Sequence, residues 1–113
     1  LRGKRVLLDK EDCDGMALDA EGNVWITGFR SSGYLVRVKP DGTMLPNVET
    51  PPGSVTQIRF GGPDMRDCYI NVVPADSGDS LKDGKPLSGK SYLYKGRSEV
   101  PGMPLATARF RLG

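Results

Sequence analysis

The sequence predicts an all-β chain built from repeated antiparallel four-stranded units, and two observations carry that expectation. Asp14 to Ile26 reads as two short strands joined by the turn Ala20-Glu21-Gly22-Asn23, and the same plan returns from Gln57 to Asn71 around the turn Gly61-Gly62-Pro63-Asp64. Leu18 and Phe60 stand 42 positions apart, and Trp25 and Tyr69 stand 44 apart. Those spacings match the roughly 40–45 residues of one propeller blade. The expectation is therefore about two blades of an incomplete β-propeller, with no segment of convincing helical periodicity.

Arg5-Val6-Leu7-Leu8 is a short apolar run, read as the outer strand of a preceding blade within residues 1–9. Four strands follow at 16–18, 23–27, 34–38 and 43–46 and make a first blade over about 14–47. The turn Lys39-Pro40-Asp41-Gly42 suits a hairpin, since Pro presets one turn dihedral and Gly accepts a positive one. Pro51-Pro52-Gly53 is expected to act as a stiff linker that cannot continue a central strand. A second blade over about 55–96 takes strands at 56–60, 68–73 and 91–95, with a polar loop at 74–90. Residues 97–113 read as a tail.

At 113 residues the chain suits one domain. It holds about two blades, while closed propellers need roughly 4–8. Because the chain starts at Leu1 and not at Met, a processed start or a piece cut from something longer is expected.

Sixteen Lys and Arg against fourteen Asp and Glu leave a net charge of +2, spread without basic runs. Nucleic acid is therefore not the expected partner, because phosphate binding needs clustered cations. No apolar run nears the roughly 20 residues of a membrane helix, and no signal-peptide pattern is present. The expectation is a soluble chain with no membrane partner, the cytoplasm being favoured. Cys13 and Cys68 form no CxxC pair and read as two free thiols. The absence of histidine excludes Ser-His-Asp and Cys-His nucleophiles, His-ligated zinc and His general bases within this chain. Carboxylates, Lys, Tyr or an oxygen-bound metal remain.

Three ordered pieces carry a resemblance. They are Cys13-Asp14-Gly15-Met16-Ala17-Leu18-Asp19-Ala20-Glu21-Gly22-Asn23-Val24-Trp25-Ile26, Gly33-Tyr34-Leu35-Val36-Arg37-Val38-Lys39-Pro40-Asp41-Gly42, and Val55-Thr56-Gln57-Ile58-Arg59-Phe60-Gly61-Gly62-Pro63-Asp64. With Pro101-Gly102-Met103-Pro104 and Arg109-Phe110-Arg111, the set resembles the carboxy-terminal third of the regucalcin/gluconolactonase family. The resemblance implies a six-bladed propeller with a divalent metal, calcium or zinc, in its central tunnel, acting on sugar lactones or related esters. It implies that Asp14, the acidic residue of the DG pair, is a metal ligand and the general base. The plain reading of the same residue is a turn Asp before Gly. The family's other metal ligands have no counterpart here, so one carboxylate stands where 6–8 oxygens are needed.

Asp19 ends the same strand, where a turn role is expected and replacement by Asn should be nearly silent. Thr56 stands 42 residues after Asp14, at the start of the next inner strand, where it either lines the tunnel or fills the strand. Trp25 and Tyr69 are read as packing between blades. Two functions follow. One is a fragment or subunit of a metal-dependent lactonase or esterase-like propeller, inactive as an isolated chain and needing missing amino-terminal blades or other copies. The other is a non-catalytic propeller-derived module that binds or self-associates through open blade faces. Two blades side by side are expected to leave Trp25, Val36, Phe60 and Tyr69 uncovered, which favours a homo-oligomer, with three chains completing a six-bladed ring.

Overall fold

A single antiparallel meander, in chain order, makes up the computed structural model. Its strands are β1 (Met16–Leu18), β2 (Val24–Ile26), β3 (Ser32–Val38), β4 (Met44–Gly61), β5 (Asp67–Val73) and β6 (Tyr92–Arg97). One short helix, α1 (Ser77–Lys82), lies between β5 and β6. The structure describes residues 2–28, 32–75, 77–86, 89–109 and 111. Leu1 of the first segment and Phe110 of the basic terminal triplet lie outside them.

The architecture turns on β4. Its first part pairs with β3, from Val38↔Met44 to Tyr34↔Glu49 and again at Ser32↔Ser54, and its last part pairs with β5, from Ser54↔Val73 to Gly61↔Asp67. One 18-residue strand thus closes a four-stranded blade and opens the next. Pro51-Pro52-Gly53 does not end the strand, contrary to the sequence expectation. The residue pairs of both ladders skip 50–53, so the two prolines, which have no N–H to give, fall at positions the ladders pass over.

Local chemistry sets the turns. Between β3 and β4 the Gly42 N–H donates to Lys39 O at 2.9 Å, and Asp41 Oδ1 accepts the Thr43 N–H at 2.8 Å. Between β4 and β5 the Met65 N–H donates to Gly62 O at 3.2 Å.

Trp25 and Leu35 of the first blade pack with Val55, Ile58, Ile70 and Val72 of the second, and Phe60 and Cys68 complete this cluster from its margin. The Trp25 and Phe60 rings meet edge to face with centroids 5.3 Å apart, a geometry worth about 0.5–1.5 kcal/mol beyond area burial. The opposite face of the first blade carries Ile26, Val36 and Val38, covered by Leu7 and Leu8. The expected strand at Arg5-Val6-Leu7-Leu8 is not formed. These residues cross the β3–β4 turn, where the Arg5 guanidinium donates to Pro40 O, and they serve as a lid.

That lid revises the expectation of bare faces. Trp25 and Val36 are buried, and Phe60 is half-buried against the core. Tyr69 is half-buried on the other face of β5, beneath Lys95 Nζ at 5.8 Å, and so does not pack between the blades. The exposed apolar side chains are others, including Met16, Leu18 and the β6 residues Tyr92, Leu93 and Tyr94.

The tail returns to the free edge of β1. Ala20 N–H donates to Pro101 O at 2.8 Å, Met103 N–H to Leu18 O at 2.9 Å, and Gly102 N–H to Met65 O at 2.7 Å. These bonds join the first blade to the β4–β5 turn of the second. They require glycine at 102, where a Cβ would lie 2.2 Å from Phe60 Cβ. Gly102→Ala is therefore expected to destabilise the chain by about 1–3 kcal/mol through overpacking. Gly96→Ala, at a site with nothing within 4 Å of the added carbon, is the control expected to stay near native. Urea unfolding of both variants checks this.

Asp19 generates a second expectation. It is fully buried at the β1–β2 turn, where Oδ1 accepts the N–H groups of Glu21 at 3.0 Å and Asn23 at 2.9 Å. Oδ2 accepts Asn23 Nδ2 at 3.0 Å and Trp25 Nε1 at 2.9 Å. The turn role holds, but the expected silence of Asp19→Asn does not. An amide turns one acceptor into a donor facing two donors. The loss should be about 2–4 kcal/mol, read as a lower thermal midpoint with a changed near-ultraviolet Trp25 signal.

Candidate functional site

The inner strands of the two blades, β1 and the second part of β4, lie side by side. Arg59 Nη1 of β4 donates to Met16 O of β1 at 3.1 Å, which ties the two across the gap. Asp14 and Gly15 lead into β1 and continue its register with β2 by one residue pair, Gly15 opposite Thr27. Thr27 is fully buried and holds Gly15 from both sides of the peptide. Gly15 N–H donates to Thr27 Oγ1 at 2.8 Å, while Thr27 N–H and Oγ1 donate to Gly15 O at 2.9 and 3.1 Å.

Gly15 also lies hard against the second blade. A Cβ there would come 2.3 Å from Gln57 Oε1 and 2.7 Å from Thr56 O. The glycine of the DG pair is thus required by close approach between the two inner strands. Asp14 N–H reaches Thr27 O at 3.4 Å, and its exposed carboxylate makes no hydrogen bond or ion pair with a described residue. The backbone is fixed and the acid is free. That combination leaves two oxygens at the strand mouth for a cation, a water or a substrate hydroxyl.

Thr56 is half-buried, and its Oγ1 accepts the Asn71 Nδ2–H at 2.9 Å, which ties β4 to β5. Its backbone carbonyl, not its hydroxyl, is the group set against Gly15. Gln57 Oε1 accepts from Arg59 Nη1 at 2.7 Å and from its neighbour's Ile58 N–H at 3.0 Å. Thr27, Gln57 and Asn71 were not singled out by sequence. Thr27 was reachable by extending the β1–β2 register one pair beyond Met16↔Ile26; the other two carry no sequence signal of their own.

Among the described residues no group of three or more His, Cys, Asp or Glu gathers to hold a metal ion. Asp14 fits the part of one ligand and not of a complete site. Cys13 is exposed and Cys68 half-buried, both free thiols, and burial pushes the Cys68 thiol up to about 11.

A second charged group closes the other end of the second blade. The buried Asp67 carboxylate takes Arg97 Nη1 at 2.7 Å and Lys95 Nζ at 3.0 Å, and Asp64 takes Arg97 Nη2 at 2.6 Å. The hydrogen bond from Arg97 is the main cause that holds Asp67 below the usual carboxylate range and Asp64 down to about 2. The same bonds raise Lys95 and Arg97. With every member paired, this is a structural clasp between β5, β6 and the β4–β5 turn.

Side-by-side inner strands, a shared strand between blades and an acid-glycine pair at the strand mouth define a two-blade segment of a β-propeller. The chain belongs to the SMP-30/gluconolactonase/LRE-like family, whose pattern matches residues 1–73. It is similar to a pentonolactonase of Haloferax volcanii, 30% identical over 102 residues, covering 88% of this chain and 35% of that protein. It is also similar to a 6-deoxy-6-sulfogluconolactonase of Pseudomonas putida, 37% identical over 90 residues, covering 79% of this chain and 30% of that protein. The fold matches a crystal structure of a calcium-binding protein, regucalcin, from Agrobacterium tumefaciens, with a TM-score of 0.57 and 24% identity over 80% of this chain and 30% of that one. The chain spans about a third of the length of these relatives. No helix among the described residues is long and apolar enough to cross a membrane.

The clasp predicts a pH dependence. Both carboxylates have folded values below their unfolded ones, so their contribution is complete above about pH 4 and is lost as pH falls through the folded value. The thermal midpoint gap between the native chain and Arg97→Met should be full at pH 6 and should shrink as pH drops from about 4 toward about 2.

Proposed function

We propose that the chain is the carboxy-terminal pair of blades of a lactone-hydrolysing propeller, with Asp14 as its contribution to the reacting centre. The observation that supports this is a carboxylate held on a fixed backbone at an inner-strand mouth with no internal partner. Most surface aspartates lack the first property, and structural ones such as Asp19 lack the second. Similarity to two sugar lactonases supplies the substrate class.

In this reading Asp14 holds a divalent cation, calcium or zinc, together with oxygen ligands from the rest of a full-length propeller. The cation, when bound, supplies polarisation of the lactone carbonyl. The Asp14 carboxylate takes a proton from the attacking water as its oxygen bonds to the carbonyl carbon. The ring C–O bond then breaks, and the hydroxy acid leaves with that proton on its new hydroxyl. Gly15, clamped by Thr27 and set against Gln57, keeps the acid from turning into the gap between strands. Thr56, pinned by Asn71 at the start of the neighbouring inner strand, keeps its O–H as a donor that a substrate could take up.

A second reading is a non-catalytic module that self-associates. What favours it is β6, exposed along its whole length in a blade that among the described residues has three strands where the first has four. Light scattering separates the readings: concentration-dependent dimers or trimers without lactonase activity, even when the chain is joined to the remaining family length, would support the second.

The isolated chain is expected to hydrolyse gluconolactone and pentonolactones hardly above the buffer rate. Within a propeller of full family length, Asp14→Asn should cost about 10²–10⁴-fold in kcat while the thermal midpoint measured without divalent cation stays put, because the side chain has no protein partner in this segment to lose. Retention of full activity by that variant on every lactone tested would remove Asp14 from the mechanism.

A further inference from the structure

An apolar cleft of about 510 Å³ opens where β1, the end of β4 and the tail converge. Met16, Leu18, Phe60, Met65, Met103 and Leu105 line it, and among the described residues the one charged side chain on its wall is Arg59. Neither Asp14 nor Thr56 takes part, so the cleft stands apart from the lactonase reading. Its volume lies within the ~300–1,000 Å³ of small-molecule sites. Its walls are unusual for a surface, with Met16 55% and Leu105 80% exposed on the same hollow.

Arg59 gives the cleft its chemistry. Its Nη1 is engaged by Met16 O, Ile58 O and Gln57 Oε1, all uncharged acceptors. Its Nη2 and Nε make no hydrogen bond to a described residue, and no carboxylate among the described residues neutralises it. Arg37 differs, since Nε and Nη2 both donate to Pro46 O and the cation lies 5.0 Å over Trp25. Arg97 differs too, with two carboxylates. A guanidinium anchored through one nitrogen, with the three N–H groups of the other two left over, presents a fork suited to a carboxylate. Methionine-rich walls accept flexible aliphatic chains and offer nothing to a polyol.

We propose that this cleft binds a monocarboxylate carrying an aliphatic chain, its headgroup on Arg59 and its chain between Met16, Met65, Met103 and Leu105. One cation matches one negative charge. The tail wall is held in place by the Met103 N–H bond to Leu18 O, so the hollow exists before the ligand arrives.

The methionines report binding directly. Three of the four, Met16, Met65 and Met103, line the cleft, and Met44 at the start of β4 does not. In a methyl-labelled methionine NMR titration of the chain, octanoate should shift the three cleft signals saturably and leave Met44 unmoved. Octan-1-ol should need about tenfold more ligand for the same shift, the loss of one charge-assisted contact. Gluconate, a carboxylate without an aliphatic chain, should produce no saturable shift. Leu105→Asp, at an exposed site that the fold does not need, should weaken octanoate at least about tenfold by placing a like charge and removing a wall. Arg59→Gln should erase the preference for octanoate over octan-1-ol. The proposal fails if octanoate gives no saturable shift, if Met44 moves with the others, if gluconate matches octanoate, or if octan-1-ol binds the native chain as tightly as octanoate. Should Arg59→Gln unfold, the native-chain ligand series and Leu105→Asp still decide.

Discussion

The carboxylate of Asp19 is the contact on which most of the architecture depends. A buried acid loses its hydration, and only a full set of donors offsets that cost. Four N–H groups supply it, two from the turn backbone, one from Asn23 and one from the Trp25 indole. Through the turn it fixes the β1–β2 hairpin. Through the indole it fixes the ring that meets Phe60 edge to face and so sets one blade against the next. The backbone of the same residue bridges Gly102, which brings the tail onto the inner edge. Hairpin, core and tail thus share one anchor.

The second constraint is the single strand that serves two blades. A strand paired with β3 by one end and β5 by the other changes neighbours midway, through a register shift across 50–53 and a residue, Ser54, that faces both. Proline is suited to that place because it has no N–H to leave unsatisfied. The Pro-Pro-Gly run therefore marks the handover from blade to blade. The rule that proline avoids central strands holds per hydrogen bond and not per strand, which explains why the run sits inside an unbroken β4.

Much of the meander was legible in the sequence because its contacts are local. Strand positions at 16–18, 34–38 and 68–73, the turn at Lys39-Pro40-Asp41-Gly42 and the turn role of Asp19 all follow from alternation and turn chemistry within a few residues. What could not be read depends on distant partners. Whether Arg5-Val6-Leu7-Leu8 forms a strand or a lid is decided by the Ile26, Val36 and Val38 face it meets, not by its own β propensity. The apposition of Gly102 on Phe60 joins positions 42 apart, and no local pattern announces it. At the candidate site the DG pair was visible, while Thr27, Gln57 and Asn71 acquire their parts only from register and blade contact. Helix α1 has six residues, too few for a periodic signal.

The division of labour along one short strand follows from these constraints. Asp14 stands at the entry of β1, Ala17 packs into the inter-blade cluster, and Asp19 closes the exit. The two acids face opposite demands. Asp19 is satisfied by four donors and contributes to stability, so its charge is unavailable to a ligand. Asp14 has none, so its charge adds little to folding and is free to act on something outside the chain. The unpaired and the paired acid thereby stand five positions apart, roughly 17 Å of extended chain. With no internal partner at Asp14, the fold is expected to persist when that acid is altered. The same amide substitution is accordingly expected to cost stability at Asp19 and not at Asp14.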